Sequence, residues 1–360
     1  MRKFSVTSDR GRYEVVVGSG AWRALRSLRR NSSRFVLTER GLWALWGKAL
    51  CREGGLRQAK TLYVPAGETS KSLTMAGRVA SALLQEGADR RSLLIAFGGG
   101  VVGDLGGFVA STYMRGIDCV QVPTTVVAQV DSAIGGKTAV NVRAMKNLVG
   151  TFYPPRLVVA DPKVLSSLND RAFRSGLYEV VKHAILAGPA LFTELELKIE
   201  SLRADQPKVL GPILGRSARV KVGVVSRDER EGGLRRVLNL GHTFGHALEE
   251  VTHYRRFLHG EAVGWGMLAV TRLAEVVGIL DPVVARRIAG LVLRVGPLPS
   301  IQDLAVEKVV KLLPRDKKAI VGQIHWVLPE RIGRVRITKD VSLTAAEMAF
   351  RDVQRGHWHE

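Results

Sequence analysis

The stretch FGGGVVGDLGGF, residues 97–108, decides how the first half of the chain is read. It follows the apolar run SLLIAF (92–97) and leads into a segment with apolar residues at helical spacing. Five glycines fall within the nine residues 98–106, more than a tight strand-to-helix turn requires. Glycine lets a backbone approach a phosphate closely, and the N-terminus of the helix that follows favours negative charge there. The spacing is not G-x-G-x-x-G, so the stretch points to a phosphate-bearing ligand without naming it.

Outward from that point, short apolar runs recur: RFVLTE (34–39), TLYVP (61–65), CVQVP (119–123) and RLVVAD (156–161). Helical patterns such as SLTMAGRVASALLQEG (72–87) lie between them. Continuous apolar strands separated by helices predict a parallel sheet covered on both faces, with ligands at the carboxyl ends of its strands. After about residue 165 the texture changes. Segments 171–187, 207–226, 243–253, 261–278 and 282–295 carry apolar residues at helical spacing, and strand-like runs return only at QIHWVLP (323–329) and RVRIT (334–338). The expectation is an α/β domain over 1–168 and a mainly α-helical domain over 169–360.

The chain has 360 residues, with 46% hydrophobic and 24% charged, which is globular composition. Its 54 Lys+Arg against 33 Asp+Glu give a net charge of +21. That excess favours anionic partners. The arginines are scattered, with no basic tail and no aromatic-interleaved basic segment, so a small anionic substrate is expected and no specific nucleic acid. Two cysteines, Cys51 and Cys119, cannot form a disulfide framework or a four-cysteine zinc site, which fits a reducing compartment. The first twenty residues lack the apolar core of a signal peptide and no stretch of 18 apolar residues occurs, so a cytoplasmic protein with no membrane partner is expected.

Further segments carry chemical groups. PAGETSKS (65–72) is a turn-rich loop bearing Glu68 and Lys71. In VPTTVVAQVDSAIGGKTAVNVRAMKNLVGTFYPP (122–155), paired threonines end a strand, and Asp131, Lys137 and Lys146 interrupt an otherwise apolar stretch. Gly135 and Gly136 permit an unusual backbone just before Lys137, and lysines beside glycine turns commonly hold phosphate or carboxylate. In LRRVLNLGHTFGHALEE (234–250), His242 and His246 stand four apart, on one face of a helix. Such a pair can share a metal or divide ligation and proton transfer between them. FLHGEAVGWGM (257–267) offers His259, and SGLYEVVKHAIL (175–186) places Glu179 and Lys182 one turn apart with His183 beside them. A glutamate and two histidines suit a catalytic zinc with an open position, and spacing alone offers His246 as readily as His259.

Taken in order, GGGVVGD, MRG, VPTTVVAQVDSAIGGKTAVN, LNLGHTFGHALE and LHGEAVGWGM resemble the 3-dehydroquinate synthase family over roughly residues 60–270, with a weaker echo at PRDKKAIVGQIHWVL (314–328). The resemblance implies a Rossmann-like N-terminal domain, a helical C-terminal domain, a homodimer, NAD as a recycled cofactor, and one zinc or cobalt ion. Carried over by motif, the metal ligands are Glu179, His242 and His259. NAD contacts map to Glu68, Lys71, Gly100, Val101, Val102, Gly103, Asp104, Thr124, Thr125, Lys137 and Lys146, with Val164, Leu165, Ser166 and Ser167 facing the cofactor and Thr38 and Glu39 near its adenosine. Substrate groups map to Asp131, Lys137, Asn147, Lys182, Lys221, Glu231, Arg235, Asn239 and His246. Arg235 fits a carboxylate clamp, because its fork can give two hydrogen bonds. Lys317 or Lys318 is assigned to the substrate phosphate, and Arg115 to the neighbouring subunit's site.

The implied reaction converts 3-deoxy-D-arabino-heptulosonate 7-phosphate to 3-dehydroquinate and phosphate, a lyase step of the shikimate pathway toward aromatic amino acids. One departure stands out: VNVRAMKN (140–147) has Val142 and Met145 where the family pattern has a histidine and a glycine, although Lys146 and Asn147 remain. The alternatives are a related cyclase acting on another phosphorylated sugar and a polyol phosphate dehydrogenase, which would release NADH.

Overall fold

The computed structural model describes residues 1–28, 32–143, 145–315 and 323–356. In chain order its strands and helices are β1 (Arg2–Ser8), β2 (Gly11–Val17), β3 (Arg34–Glu39), α1 (Arg40–Gly54), β4 (Lys60–Val64), α2 (Leu73–Gln85), β5 (Leu93–Gly98), α3 (Gly100–Thr112), β6 (Asp118–Pro123), β7 (Lys137–Val142), β8 (Met145–Phe152) and β9 (Leu157–Ala160). There follow α4 (Asp170–Ala187), α5 (Pro189–Lys198), α6 (Pro207–Val225), α7 (His242–Val251), α8 (His259–Val276), α9 (Pro282–Leu293), α10 (Val306–Leu312), β10 (Trp326–Arg331), β11 (Arg334–Thr338) and α11 (Leu343–Arg355). They form two compact units, the first made of Met1–Asn169 and Arg203–Arg230, the second of Asp170–Leu202 and the chain from Glu231 onward.

The first unit is built on a sheet of order β1-β2-β9-β6-β5-β3-β4. All neighbouring pairs from β2 to β4 are parallel, and β1 closes one edge as an antiparallel hairpin partner of β2. Every residue of β5 is buried, which is why its sequence reads as an unbroken apolar run. Successive side chains still point to opposite faces. Leu94 and Ala96 pack with Val79 and Leu83 of α2 and with Leu105 and Val109 of α3. Ile95 and Phe97 pack on the other side with Trp22, Leu25 and Leu50. Trp22 meets Phe97 edge-to-face at 5.8 Å between ring centroids. Each fully buried side chain of this size contributes about 1.5–3 kcal/mol, so both faces are firmly covered.

Several elements differ from the sequence reading. The glycine-rich residues Gly100–Asp104, read as a turn before a helix, are already the first turn of α3. The stretch around Lys137 and Asn147, read only as a polar motif, forms the hairpin β7–β8. Helix α6, assigned by sequence to the second domain, belongs to the first unit, where it packs on β1, β2 and the turn 162–167. Amphipathic pattern identifies a helix but not which layer it covers.

In the second unit α8 is buried nearly all round, as is most of α4. Phe244 of α7 stacks on Phe350 of α11 at 5.8 Å and lies 5.7 Å from Trp326 of β10. Helices α7 and α8 cross with no clearance: a Cβ on Gly266 would come within 1.8 Å of the Gly241 carbonyl oxygen, and one on Gly245 within 3.1 Å of the Ala262 carbonyl oxygen. Gly241, at φ 79°, opens α7 from the left-handed region, where a side chain would be strained.

Candidate active site

In the first unit Glu68 and Lys71 follow β4, Gly100–Asp104 follow β5, and Thr124 and Thr125 follow β6, each beyond a strand's carboxyl end, while Val164–Ser167 follow β9 and Lys137 and Lys146 lie on the β7–β8 hairpin. Helix α3 starts two residues after β5, with Gly99 as its cap and no side chain covering its end. The N–H groups of Gly100, Val101 and Val102 have no acceptor within the helix and carry the positive end of its dipole. A Cβ on Gly99 would press on Thr125 at 3.1 Å, and one on Gly103 would meet the Gln121 side chain at 2.9 Å. The glycines therefore serve close packing and leave a bare, electropositive turn that fits a pyrophosphate. Val102, Val164 and Leu165 are fully buried, so their side chains do not meet a ligand. Ser166 and Ser167 donate their hydroxyls to the Lys163 and Val164 carbonyls of their own turn, and Ser167 also accepts from Trp46 Nε1 at 3.0 Å. Thr38 is wholly buried in β3, and burial raises the carboxyl of Glu39 beside it.

Lys71 joins three of the motifs. Its ammonium, 5% exposed, donates to Asp104 of α3 and to Asn147 of β8. Burial lifts the Asp104 carboxyl above its usual range, and the Lys71 charge pulls against that shift. Glu68 accepts from Asn141 Nδ2 at 2.8 Å, and Asn141 Oδ1 accepts from the Asn147 amide at 2.8 Å. Loop 65–72, α3 and the β7–β8 hairpin are thus one polar network. Sequence reasoning missed Asn141 as its junction; the signal was an asparagine six residues before Asn147 in a strand-like run.

The two departures from the family pattern cost little strain. Positive φ falls on Arg143 (54°) and Asn147 (56°), not on Met145, which opens β8 with an exposed side chain. Gly135 and Gly136 do take left-handed φ values, 110° and 65°, and a Cβ on Gly136 would meet Pro154 N at 2.9 Å. Asp131 sits on a π-helical turn, Ala128–Ser132, and its Oδ1 accepts from Lys221 Nζ of α6 at 2.7 Å. Thr124, directly after β6, is buried, while Lys137 and Arg115 are exposed. Met114 and Arg115 turn the chain after α3 at φ 48° and 68°, an unfavourable corner for non-glycine residues.

In the second unit Glu179 of α4, His242 of α7 and His259 of α8 converge, with one ligand atom from each lying within 4.8 Å of the others. Glu179 Oε1 faces both imidazoles, 3.5 Å from His259 Nε2 and 3.8 Å from His242 Nε2. Ligand atoms on a tetrahedral zinc lie roughly 3.3–3.5 Å apart, so this set fits such an ion after a small contraction and leaves a fourth position open. The remaining ring nitrogens are also directed: His242 Nδ1 lies 3.2 Å from the Leu240 carbonyl oxygen and His259 Nδ1 lies 3.6 Å from Glu249 Oε2. Outer partners of this kind fix ligand orientation. Burial alone would lower the His259 pKa, but the hydrogen bonds and charges of Glu179 and Glu249 outweigh it and push it up to about 10.

His246 packs against this cluster, 5.5 Å from the His242 ring and 6.3 Å from the His259 ring. The packing brings His259, distant in sequence, together with Glu179 and His242, and leaves His246 beside them. Glu249 was missed by sequence reasoning, although it continues the His242 and His246 face at the next helical step.

Around the cluster, Lys182 Nζ meets Glu179 Oε2 at 2.5 Å with both side chains buried. Arg235 is 2% exposed in the 3₁₀ turn Leu234–Asn239, and Asn239 Nδ2 donates to Glu231 Oε1 at 3.1 Å. Glu231 holds φ 62°, a strained position of the kind found at ligand sites. Lys317 and Lys318 lie outside the described residues.

Among solved structures, 2-epi-5-epi-valiolone synthase from Streptomyces hygroscopicus subsp. jinggangensis 5008, with NAD+ and Zn2+ bound, superposes with a TM-score of 0.86 at 29% identity over 96% of this chain and 97% of that one. A glycerol dehydrogenase from Schizosaccharomyces pombe shares the fold alone, with a TM-score of 0.68 at 15% identity over 96% of this chain and 90% of that one. Fold and site together define a protein of the dehydroquinate synthase-like class of sugar phosphate cyclases. Residues 61–175 match the model of the 3-dehydroquinate synthase N-terminal domain, and residues 176–319 that of the C-terminal domain. The 3-dehydroquinate synthase of Koribacter versatilis (strain Ellin345) is 43% identical over 98% of both chains, and that of Pelotomaculum thermopropionicum (strain DSM 13744 / JCM 10971 / SI) is 50% identical over 74% of this chain and 72% of its own. The chain belongs to the 3-dehydroquinate synthase family.

Proposed function

We propose that the chain eliminates phosphate from 3-deoxy-D-arabino-heptulosonate 7-phosphate and closes the product to 3-dehydroquinate, with NAD recycled and one zinc or cobalt ion held by Glu179, His242 and His259. The observation that carries this reading is the convergence of those three ligands, with Lys182 beside them, in a chain of this family. Bound NAD supplies a reversible hydride acceptor, and the bound metal supplies positive charge at a substrate oxygen. The chain's own groups do the rest. The N–H groups at the start of α3 and Lys71 hold the dinucleotide, with Lys146 and Thr125. Arg235 grips the substrate carboxylate with its fork, and Lys137, Lys221 and Asn147 hold anionic or hydroxyl groups. Asp131, Glu231, Asn239 and Lys182 orient hydroxyls and water, and His246 passes a proton. The substrate phosphate acts as its own base in the elimination, so no side chain is assigned that role. Fixed groups of this kind act by positioning and by stabilising developing charge.

The protein is further read as a cytoplasmic homodimer in which Arg115 reaches the neighbouring copy's site. The support is the exposed, strained corner on which Arg115 stands. No helix among the described residues is long and apolar enough to cross a membrane.

The test is a phosphate-release assay with the heptulosonate phosphate, run with NAD and zinc, with and without chelator. Release of phosphate with formation of dehydroquinate, dependence on both cofactors and no accumulation of NADH are expected. Release only from another phosphorylated sugar would replace the substrate, and net NADH would replace the reaction class.

A further inference from the structure

Along one stripe of α4, Arg171, Ser175 and Glu179 stand four residues apart, on the same helical face. They meet three consecutive residues at the start of α8, in reverse order. Arg171 grips Glu261 with both arms of its fork, Nε to Oε1 at 2.6 Å and Nη2 to Oε2 at 2.8 Å. Ser175 Oγ accepts from the Gly260 amide at 3.2 Å. Glu179 Oε1 faces His259 Nε2 at 3.5 Å. The middle contact has no slack, since a Cβ on Gly260 would fall 1.7 Å from the Ser175 carbonyl oxygen. Glu261 is also tied to its own helix, where Oε2 accepts from the Leu258 amide at 2.7 Å and caps the first turn. Arg171 Nη2 donates in addition to the Arg256 carbonyl at 2.7 Å, fixing the chain that enters α8.

We propose that the Arg171–Glu261 clamp sets the register of α8 on α4 and thereby the gap between the metal ligands Glu179 and His259, which makes both clamp residues positioning residues of the metal centre. This rests on the metal site proposed above. The physical basis is that a bidentate guanidinium–carboxylate pair fixes orientation as well as distance, which a single ammonium does not. Glu261 is 4% exposed, so its carboxylate cannot relax into water if the arginine is removed. A slide of α8 by a fraction of a turn would carry His259 out of reach of an ion held by Glu179 and His242, because those two lie on other helices.

The test uses the full-length protein stripped of metal, titrated with zinc and with cobalt(II) against a competing chelator. Arg171→Gln is compared with wild type, with Arg171→Lys as the variant that keeps charge but loses the fork. Arg287→Gln serves as control, because Arg287 makes a bidentate pair with Glu196, at 3.1 and 2.7 Å, that touches neither the clamp nor a ligand. Arg171→Gln is expected to weaken metal binding roughly 10- to 100-fold, the usual cost of losing an outer partner, and to shift the cobalt absorption spectrum. Arg171→Lys should fall between, and Arg287→Gln should bind as wild type does. If Arg171→Gln does not fold, Arg171→Lys decides by the same titration. Wild-type affinity and an unchanged cobalt spectrum in the Arg171 variants, with only a lower melting temperature, would overturn the inference. A wild-type protein that takes up no metal would overturn the metal site and this inference together.

Discussion

Glu179 and Lys182 lie one turn apart on α4 and meet at 2.5 Å, with neither side chain more than 1% exposed. The lysine neutralises a carboxylate that also faces two imidazoles. Removing one partner of a buried pair leaves the other charge without compensation, at a cost on the order of 3 kcal/mol. The metal-free Lys182→Met variant is therefore expected to unfold at lower denaturant than metal-free wild type. Added zinc should recover much of the difference, because a cation at Glu179 replaces the ammonium. Equal midpoints without metal would show that the pair contributes nothing net.

His259→Ala removes one of the three proposed ligands. Metal affinity should drop by more than the roughly 10- to 100-fold that outer partners cost, while the circular dichroism spectrum stays that of the folded chain. Metal content after dialysis is the measurement, and full occupancy in the variant would take His259 off the ligand set.

Arg235→Lys keeps the charge and loses the fork. A lost charge-assisted hydrogen bond corresponds to about 1.5–3 kcal/mol, so KM for the heptulosonate phosphate should rise roughly 10- to 100-fold. An unchanged KM would refute the carboxylate clamp.

Cys119 is 2% exposed, and burial, with a smaller contribution from Asp118, pushes its thiol up to about 12. At pH 8 its thiolate fraction is on the order of 10⁻⁴, so it should resist alkylation until the protein unfolds. The folded value lies above the unfolded one of about 8.5, so its contribution to stability is complete below that pH and is lost as pH rises toward 12. Denaturant unfolding at pH 8 and pH 10.5 should show a loss about 2 kcal/mol smaller in Cys119→Val than in wild type. Identical losses would remove Cys119 as a source of alkaline sensitivity.

Much of the α/β unit was legible because buried parallel strands leave continuous apolar runs; RFVLTE proved to be β3 with the same bounds. The hairpin β7–β8 was not, because its second strand is largely exposed and carries no alternation. Nor was α1, whose tryptophans, glycines and basic residues blur its apolar stripe. At the site, His242 and His246 were visible as a pair, since helical spacing is local. The convergence of His259 with Glu179 depends on how three helices pack, which no spacing within one segment encodes. Glu261 and Arg171 were invisible for the same reason: each reads as an ordinary charged residue until the other is placed against it.

The return of α6 to the first unit has a consequence for how the protein is made. Residues 1–168, expressed by themselves, would lack the helix that covers β1 and β2 and supplies Lys221 to Asp131. A ribosome releases α4 and α5, which belong to the other unit, before it releases α6. The α/β unit therefore stays unfinished while part of its neighbour is already available to fold, and no single cut divides the chain into two self-sufficient pieces.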